Sequence, residues 1–119
     1  MSQTLLIRSQ IMDFSRPLVM GIVNVTPDSF ACRCASMDEP GVMAVAGALV
    51  QQGADILDIG ACSTRPGSEP VSADEEWRRL DMALGCIQKA FPDSILSVDT
   101  FRAEIAERAI EKYEVDIIN

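Results

Sequence analysis

The sequence contains no histidine, which removes the commonest metal ligand and general base among the side chains. Its four cysteines include no C-x-x-C pair. No apolar run is long enough to span a bilayer, and the start MSQTLLIRSQ lacks the charged-then-apolar order of a signal peptide. We therefore expect a cytoplasmic protein without a membrane span.

Basic residues are also scarce, since 10 lysines and arginines stand against 18 acids, for a formal net charge of -8. This balance argues against a nucleic-acid interface or a membrane surface as partner. It does not exclude a small anionic ligand, because one arginine and one magnesium ion can reverse a local field. With 119 residues, 48% of them hydrophobic, the chain can bury one modest core.

The cysteines favour free thiols in a reducing compartment. A sharper hypothesis is that Cys32, Cys34 and Cys62, which all fall in predicted loops, meet as a soft-metal or redox site. The sequence alone leaves both interpretations open.

Apolar runs bounded by Gly, Pro and cap residues predict three strand–helix units and the start of a fourth strand, after a short N-terminal hairpin. The first strand of these units is apolar almost without a break, which predicts burial on both faces. Repeating units of this kind form parallel sheets with right-handed crossovers. The predicted strands are Leu18–Val25, Ala54–Gly60, Ser94–Thr100 and Val115–Asn119, the helices are Gly41–Val50, Ser72–Phe91 and Phe101–Tyr113, and the hairpin spans Thr4–Phe14.

The predicted helices carry start and stop signals. Ser72 and Glu75 have the spacing of a capping box, and Thr100 can cap the third helix. Gly53 lies near the end of the first helix. The apolar face of the second helix is Trp77, Leu80, Leu84 and Ile87, and that of the third is Ile105, Ala109 and Ile110.

Polar clusters follow every predicted strand. Residues Asn24–Ser29 follow the first, Gly60–Gly67 the second, Asp99 and Thr100 the third, and Asn119 ends the fourth. Ligands of such folds bind at the carboxyl ends of the strands. The coincidence is the strongest argument from the residues alone for a ligand site.

The loop GACSTRPGS carries more than a turn requires. Gly and Pro make the turn, whereas Ser63, Thr64 and Arg65 add two hydroxyls and one fixed cation, which suit a cluster of anionic oxygens. For an isolated TRPG, a Pro-Gly turn with a solvated arginine is the alternative interpretation.

Three motifs, MGIVNVTPDSF, GADILDIGACSTRPG and SVDTFRAEIAERAI followed by DIIN, resemble dihydropteroate synthase in order and spacing. The resemblance implies an α/β fold, a (β/α)8 TIM barrel. Residues 1–119 would supply about the first three and a half β/α units of a single pterin-binding barrel domain. Because such a barrel needs about 250 residues, we expect this chain to be the N-terminal portion of a longer protein.

The resemblance also implies an activity in folate synthesis. With Mg²⁺ as cofactor, the family joins 7,8-dihydropterin-6-ylmethyl diphosphate to p-aminobenzoate, gives 7,8-dihydropteroate and releases diphosphate. Sulfonamides compete with p-aminobenzoate. The whole protein is then expected to be a homodimer. The 119 residues alone, half a barrel with uncovered edges, are expected to be inactive and to aggregate, self-associate or partly unfold.

Site residues carry over by resemblance. Asn24 matches a residue that helps to hold Mg²⁺ and diphosphate, and Thr64 and Arg65 match the pair expected to be catalytic and to meet the diphosphate and p-aminobenzoate. Asp99 and Asn119 match residues that bind the pterin ring. From the residues alone, Asn24 could equally cap a turn, and Asp99 could belong to a helix start.

Asp58 lies within the second strand, where an acid needs a partner; it is expected to support the site or to pair with a cation. Two stretches depart from the family: ACRCASMDEP at 31–40 lacks the usual glycines, and Ala61 and Cys62 replace a Gly-Glu pair. The family's later site residues also lie beyond Asn119. The altered loop and the truncation leave a degenerate or truncated barrel without activity as an alternative. Another pterin-binding barrel, such as a methyltetrahydrofolate methyltransferase, is a second alternative, because that class shares the aspartate and asparagine at the strand ends.

Overall fold

The structure is a computed structural model that describes residues 4–7, 10–13, 18–25, 38–61 and 71–119. Several sequence-based predictions fall outside these ranges, and they stay predictions. They concern Thr64, Arg65, Cys32, Cys34, Cys62 and most of the altered stretch 31–40.

Runs of branched apolar residues form a parallel sheet of four strands, which lie side by side in the order of the chain. Asn24 is level with Gly60, and Gly60 with Asp99, so that three strands end at one edge. The predicted hairpin is also present, as an antiparallel pair of strands. The α/β prediction is therefore confirmed for the part of the fold that this chain supplies. The strands are β1 (Thr4–Ile7), β2 (Gln10–Asp13), β3 (Met20–Asn24), β4 (Ile56–Gly60), β5 (Ile95–Asp99) and β6 (Ile117–Ile118).

Three helices connect the parallel strands: α1 (Glu39–Gln51), α2 (Ala73–Ala90) and α3 (Ala103–Tyr113). They cover one face of the sheet, because alternate strand residues are apolar and point to that side. Gly21 lets α1 approach β3 closely, since a Cβ there would lie 2.9 Å from Leu49 Cδ1. The core contains Val23, Leu57, Ile59, Leu96 and Val98 of the sheet with Val42, Ala46, Leu80, Leu84, Ile87, Ile105 and Ala109 of the helices.

The prediction that β3 is buried on both faces is wrong. Met20 and Ile22 are 41% and 61% exposed, and they alternate with the buried Gly21 and Val23. Within the described ranges no second layer covers the side of the sheet opposite the helices, which we call the open face. The apolar residues of β3 on this face therefore remain in contact with solvent.

The predicted start of α2 is confirmed, because Ser72 Oγ accepts a hydrogen bond from the Glu75 N–H at 3.1 Å. The Glu75 carboxylate accepts from Arg78 instead of completing the capping box. The prediction that Thr100 caps α3 is wrong: its hydroxyl donates to Glu76, and the helix begins after Arg102 without a side-chain cap. The buried carboxylate of Glu76 requires a donor, and Thr100 supplies it.

The prediction that Ile110 belongs to the apolar stripe of α3 is also wrong, since this side chain is 49% exposed. Ile105 and Ala109 define the buried face four residues apart. Ile110 follows about 100° further round the helix, which places it beyond that face. Among the helices of the described ranges, none has the length and hydropathy to cross a membrane.

Candidate functional site

The carboxyl edge of the open face brings together three of the predicted site residues. Asn24 and Asp99 occupy matching positions on β3 and β5, with Gly60 of β4 between them. Asn119 follows β6, where its N–H donates to the Val98 carbonyl at 2.8 Å. The backbone ladder thus places one carboxylate and two amides along the same edge.

Asp58 supports this edge from one step below it. Its side chain is 4% exposed and lies level with Ser97 of the neighbouring strand. The Ser97 hydroxyl donates to Asp58 Oδ1 at 2.7 Å, and the Asn119 amide donates from Nδ2 to Asp58 Oδ2 at 3.3 Å. Of the two interpretations of Asp58, the structure favours the supporting residue, since the partners it shows are a hydroxyl and an amide.

This bond also orients the Asn119 amide. A carboxylate can only accept, so the amide nitrogen faces Asp58 and the amide oxygen remains available to another partner. Beside Asn119, the Asp99 carboxylate presents two more acceptor oxygens. The edge therefore offers acceptors to a ligand that carries N–H donors.

Burial raises the pKa of Asp99 above its ordinary value, and the negative charges of Asp58 and Glu76 add to the shift. The carboxylates of Asp58 and Glu76 thus oppose the ionisation of Asp99. A ligand that donates hydrogen bonds to Asp99 would stabilise its charged form. The electrostatics of the edge therefore favour a donor-bearing ligand.

Gly60 leaves space between Asn24 and Asp99. A Cβ at Gly60 would lie 3.5 Å from Asp99 Cβ and 3.7 Å from Asp99 Oδ2, which is ordinary van der Waals contact. The backbone there is ordinary β structure, so the glycine is not needed for a left-handed conformation. Its effect is to keep the edge open beside Asp99.

Sequence reasoning missed a second polar cluster, on the helix side of the same edge. Glu76 of α2 is fully buried and accepts hydrogen bonds from Thr100 and Arg102. A signal was present, because Glu76 precedes Leu80 and Leu84 at intervals of four and so belongs to the apolar face of α2. An acid in an apolar stripe indicates a buried partner.

The described side chains include no group of three His, Cys, Asp or Glu residues that could hold a metal ion. Mg²⁺, however, commonly binds through one or two protein oxygens together with substrate phosphates and water. The exposed amide of Asn24 at the carboxyl edge fits that mode of binding. The donor set is therefore compatible with a magnesium ion that arrives with a phosphorylated substrate.

Residues 20–119 match the family model described as pterin binding enzyme. The chain belongs to this family. Dihydropteroate synthase of Neisseria meningitidis serogroup C is 44% identical over 105 residues, which cover 87% of this chain and 36% of that protein. Inactive dihydropteroate synthase 2 of Mycobacterium leprae is 40% identical over 104 residues, covering 87% of the chain and 35% of that protein.

Solved structures of dihydropteroate synthases share the fold. The Yersinia pestis enzyme in a sulfonamide complex aligns with a TM-score of 0.84 and 37% identity, over 98% of this chain and 41% of that one. The Burkholderia cenocepacia enzyme complexed with 7,8-dihydropteroate aligns with a TM-score of 0.77 and 34% identity, over 98% and 37% of the two chains. The chain thus spans little more than a third of the length of the Neisseria and Mycobacterium relatives.

Proposed function

We propose that the complete protein is a dihydropteroate synthase of folate synthesis, which joins 7,8-dihydropterin-6-ylmethyl diphosphate to p-aminobenzoate and releases diphosphate. Membership of the pterin-binding enzyme family supports this function, as do the relatives of that name. The observation that carries it is the acceptor edge formed by Asp99 and Asn119 above Asp58. We further propose that the protein acts in the cytoplasm as a homodimer.

The acceptor edge suits one half of the substrate. A pterin presents an aminopyrimidine edge with several N–H donors, and a carboxylate is the strongest neutral-pH acceptor among the side chains. Asp99 and the amide oxygen of Asn119 would bind that edge, while the bond to Asp58 prevents rotation of the Asn119 amide. The ring would then lie across the open face.

The other half of the reaction rests on sequence alone. Thr64 and Arg65 are proposed to meet the diphosphate and p-aminobenzoate as a hydroxyl and a guanidinium. Asn24 would hold a magnesium ion together with the diphosphate. When bound, that ion would neutralise charge that develops on the leaving group.

A second candidate is a pterin-binding protein without synthase activity. The Mycobacterium leprae relative named as inactive is nearly as similar to this chain as the Neisseria relative. The replacement of the family's Gly-Glu pair by Ala61 and Cys62 favours the same possibility. Similarity alone therefore does not decide between turnover and binding.

The test uses the complete protein and measures diphosphate release with both substrates, with and without a sulfonamide. We expect release that depends on p-aminobenzoate and is inhibited by the sulfonamide. Asp99→Asn should abolish it, whereas Glu104→Gln, an exposed acid in the first turn of α3, should not. Binding of 7,8-dihydropteroate without release would favour the inactive protein, and absence of both would contradict pterin binding.

A further inference from the structure

Glu76 is a fully buried carboxylate in the first turns of α2. Its neighbours Asp74 and Glu75 retain exposed surface at the same helix start, where acids are favourable because of the helix dipole. Burial of a charge is costly and brings no gain in stability over an apolar side chain of the same volume. A buried acid in the apolar stripe therefore calls for an explanation beyond packing.

The partners of Glu76 come from the turn that follows Asp99. Arg102 donates from one terminal nitrogen to Glu76 Oε1 at 2.6 Å, and the Thr100 hydroxyl donates to Oε2 at 2.7 Å. The backbone N–H of Arg102 donates in turn to the Thr100 hydroxyl at 3.2 Å. Both carboxylate oxygens thus hold the chain immediately after the proposed pterin-binding Asp99.

The same guanidinium reaches a second part of the chain. The other terminal nitrogen of Arg102 donates to the Val71 carbonyl at 2.7 Å, just before the Ser72 cap of α2. Three residues along the helix from Glu76, Arg79 donates to the Ala61 carbonyl at 3.1 Å. The start of α2 is therefore joined to the chain after β4, before α2 and after β5.

We propose that Glu76 and Arg102 are positioning residues for the ligand site. The planar guanidinium fixes direction as well as distance, because it donates to the carboxylate and to the Val71 carbonyl from one rigid group. An apolar pair of equal volume would fill the space without specifying the angle of the turn. The inference rests on the proposed function, since the residue that the pair places is Asp99.

The experiment compares two acids of α2, Glu76 and Asp81, in the complete protein. Each accepts a hydrogen bond from a basic residue in or next to α3. Glu76→Gln keeps the shape and removes the charge. Asp81→Asn is the matched control, because Asp81 accepts from Lys112 at 2.8 Å and so also joins α2 to α3, at the end of α3 remote from Asp99. Diphosphate release, KM for the dihydropterin substrate, calorimetric affinity for 7,8-dihydropteroate and Tm are measured for each variant.

We expect Glu76→Gln to lower kcat/KM and the affinity for 7,8-dihydropteroate roughly tenfold or more, because small displacements of a binding group reduce rates steeply. Asp81→Asn should change kcat/KM and this affinity less than twofold, even if its Tm falls as far as that of Glu76→Gln. The double variant Glu76→Gln with Arg102→Met should bind no more weakly than Glu76→Gln, because the two residues act as a unit.

Equal kinetic and binding effects in Glu76→Gln and Asp81→Asn would overturn the proposal and leave Glu76 a structural residue. Should Glu76→Gln fail to fold, Arg102→Lys provides the test, because lysine keeps the charge but cannot hold Glu76 and Val71 with one planar group. Unchanged affinity for 7,8-dihydropteroate in that variant would likewise overturn it. If the unsubstituted protein binds 7,8-dihydropteroate without turnover, the synthase proposal fails alone, and affinity still tests the positioning role.

Discussion

The two faces of the sheet differ although the same strands supply both. On the helix-covered face Val23, Ile59 and Val98 are apolar and fully buried. On the open face the amino ends of the strands carry apolar residues such as the exposed Met20, whereas polar side chains lie towards the carboxyl edge. Apolar and polar residues are thus separated by face and, on the open face, again by end: burial accounts for the apolar residues of one side, and the polar residues of the other lie at the edge proposed to bind the ligand.

The polar residues of the two sides are also bonded differently. On the open face Asp58 is held by residues of the sheet, Ser97 and Asn119. On the helix side Glu76 is held by the turn after β5. The site is therefore supported from within the sheet and from the helix layer, and each support can be tested separately.

The largest effect is expected on the covered face. Ile59→Ala in the complete protein should lower the free energy of unfolding by about 2–5 kcal/mol, because it leaves a cavity in the core. Urea unfolding measures the loss. Ile110→Ala removes the same atoms from a side chain that is 49% exposed, and should cost less than about 1 kcal/mol. Equal losses would contradict the assignment of the core.

A smaller effect is expected beneath the carboxyl edge. Ser97→Ala deprives the Asp58 carboxylate of its hydroxyl donor at 2.7 Å and should cost about 1.5–3 kcal/mol, the usual contribution of a hydrogen bond to a charged group. Urea unfolding again gives the value, with Ser94→Ala in the turn before β5 as the control. A loss no larger than that of the control would mean that Asp58 does not depend on Ser97.

The smallest effect on stability is expected at Asp99, where a substitution should stabilise the protein instead of destabilising it. The pKa of Asp99 is raised above 3.8, so its ionisation opposes folding: the penalty is absent below that value and grows as the pH rises through the folded-state pKa. Asp99→Asn should therefore raise the Tm of the ligand-free protein at pH 7 and leave it unchanged near pH 3. Asp93→Asn, an exposed acid before β5, is the control. A lower Tm at pH 7 would contradict the shift.

The strands and helices could be predicted because their signals are local. Apolar runs bounded by Gly, Pro and cap residues identified every described parallel strand, and Ser72 marked the start of α2. Helix α1 begins at Glu39, earlier than predicted, because Asp38 caps it and Pro40 suits its first turn. That signal is also local, but it precedes the apolar run from which the helix was predicted.

The polar partners could not be predicted because they come from distant parts of the chain. Arg102 lies 26 residues from Glu76, and Asn119 lies 61 residues from Asp58. Sequence spacing does not show such pairs, so Thr100 was predicted to be a cap and Asp58 stayed ambiguous. Asn24, Asp99 and Asn119 were placed correctly at one edge, because parallel strands align their carboxyl ends. Their roles stay predictions, as do those of Thr64 and Arg65.

Gly60 separates the requirements of the fold at this edge from those of the proposed site. Alanine would fit there without strain or clash, so the requirements of folding alone would allow the glycine to be lost over evolutionary time. Selection for an open site would retain it. If the proposed function is correct, lineages that obtain folate from their surroundings should lose Gly60 and Asp99 by substitution, while Ile59, which packs between the sheet and the helices, should be kept. A comparison of such genomes would then show whether substitutions at Gly60 and Asp99 precede substitutions at Ile59, and so whether ligand binding is lost before the fold.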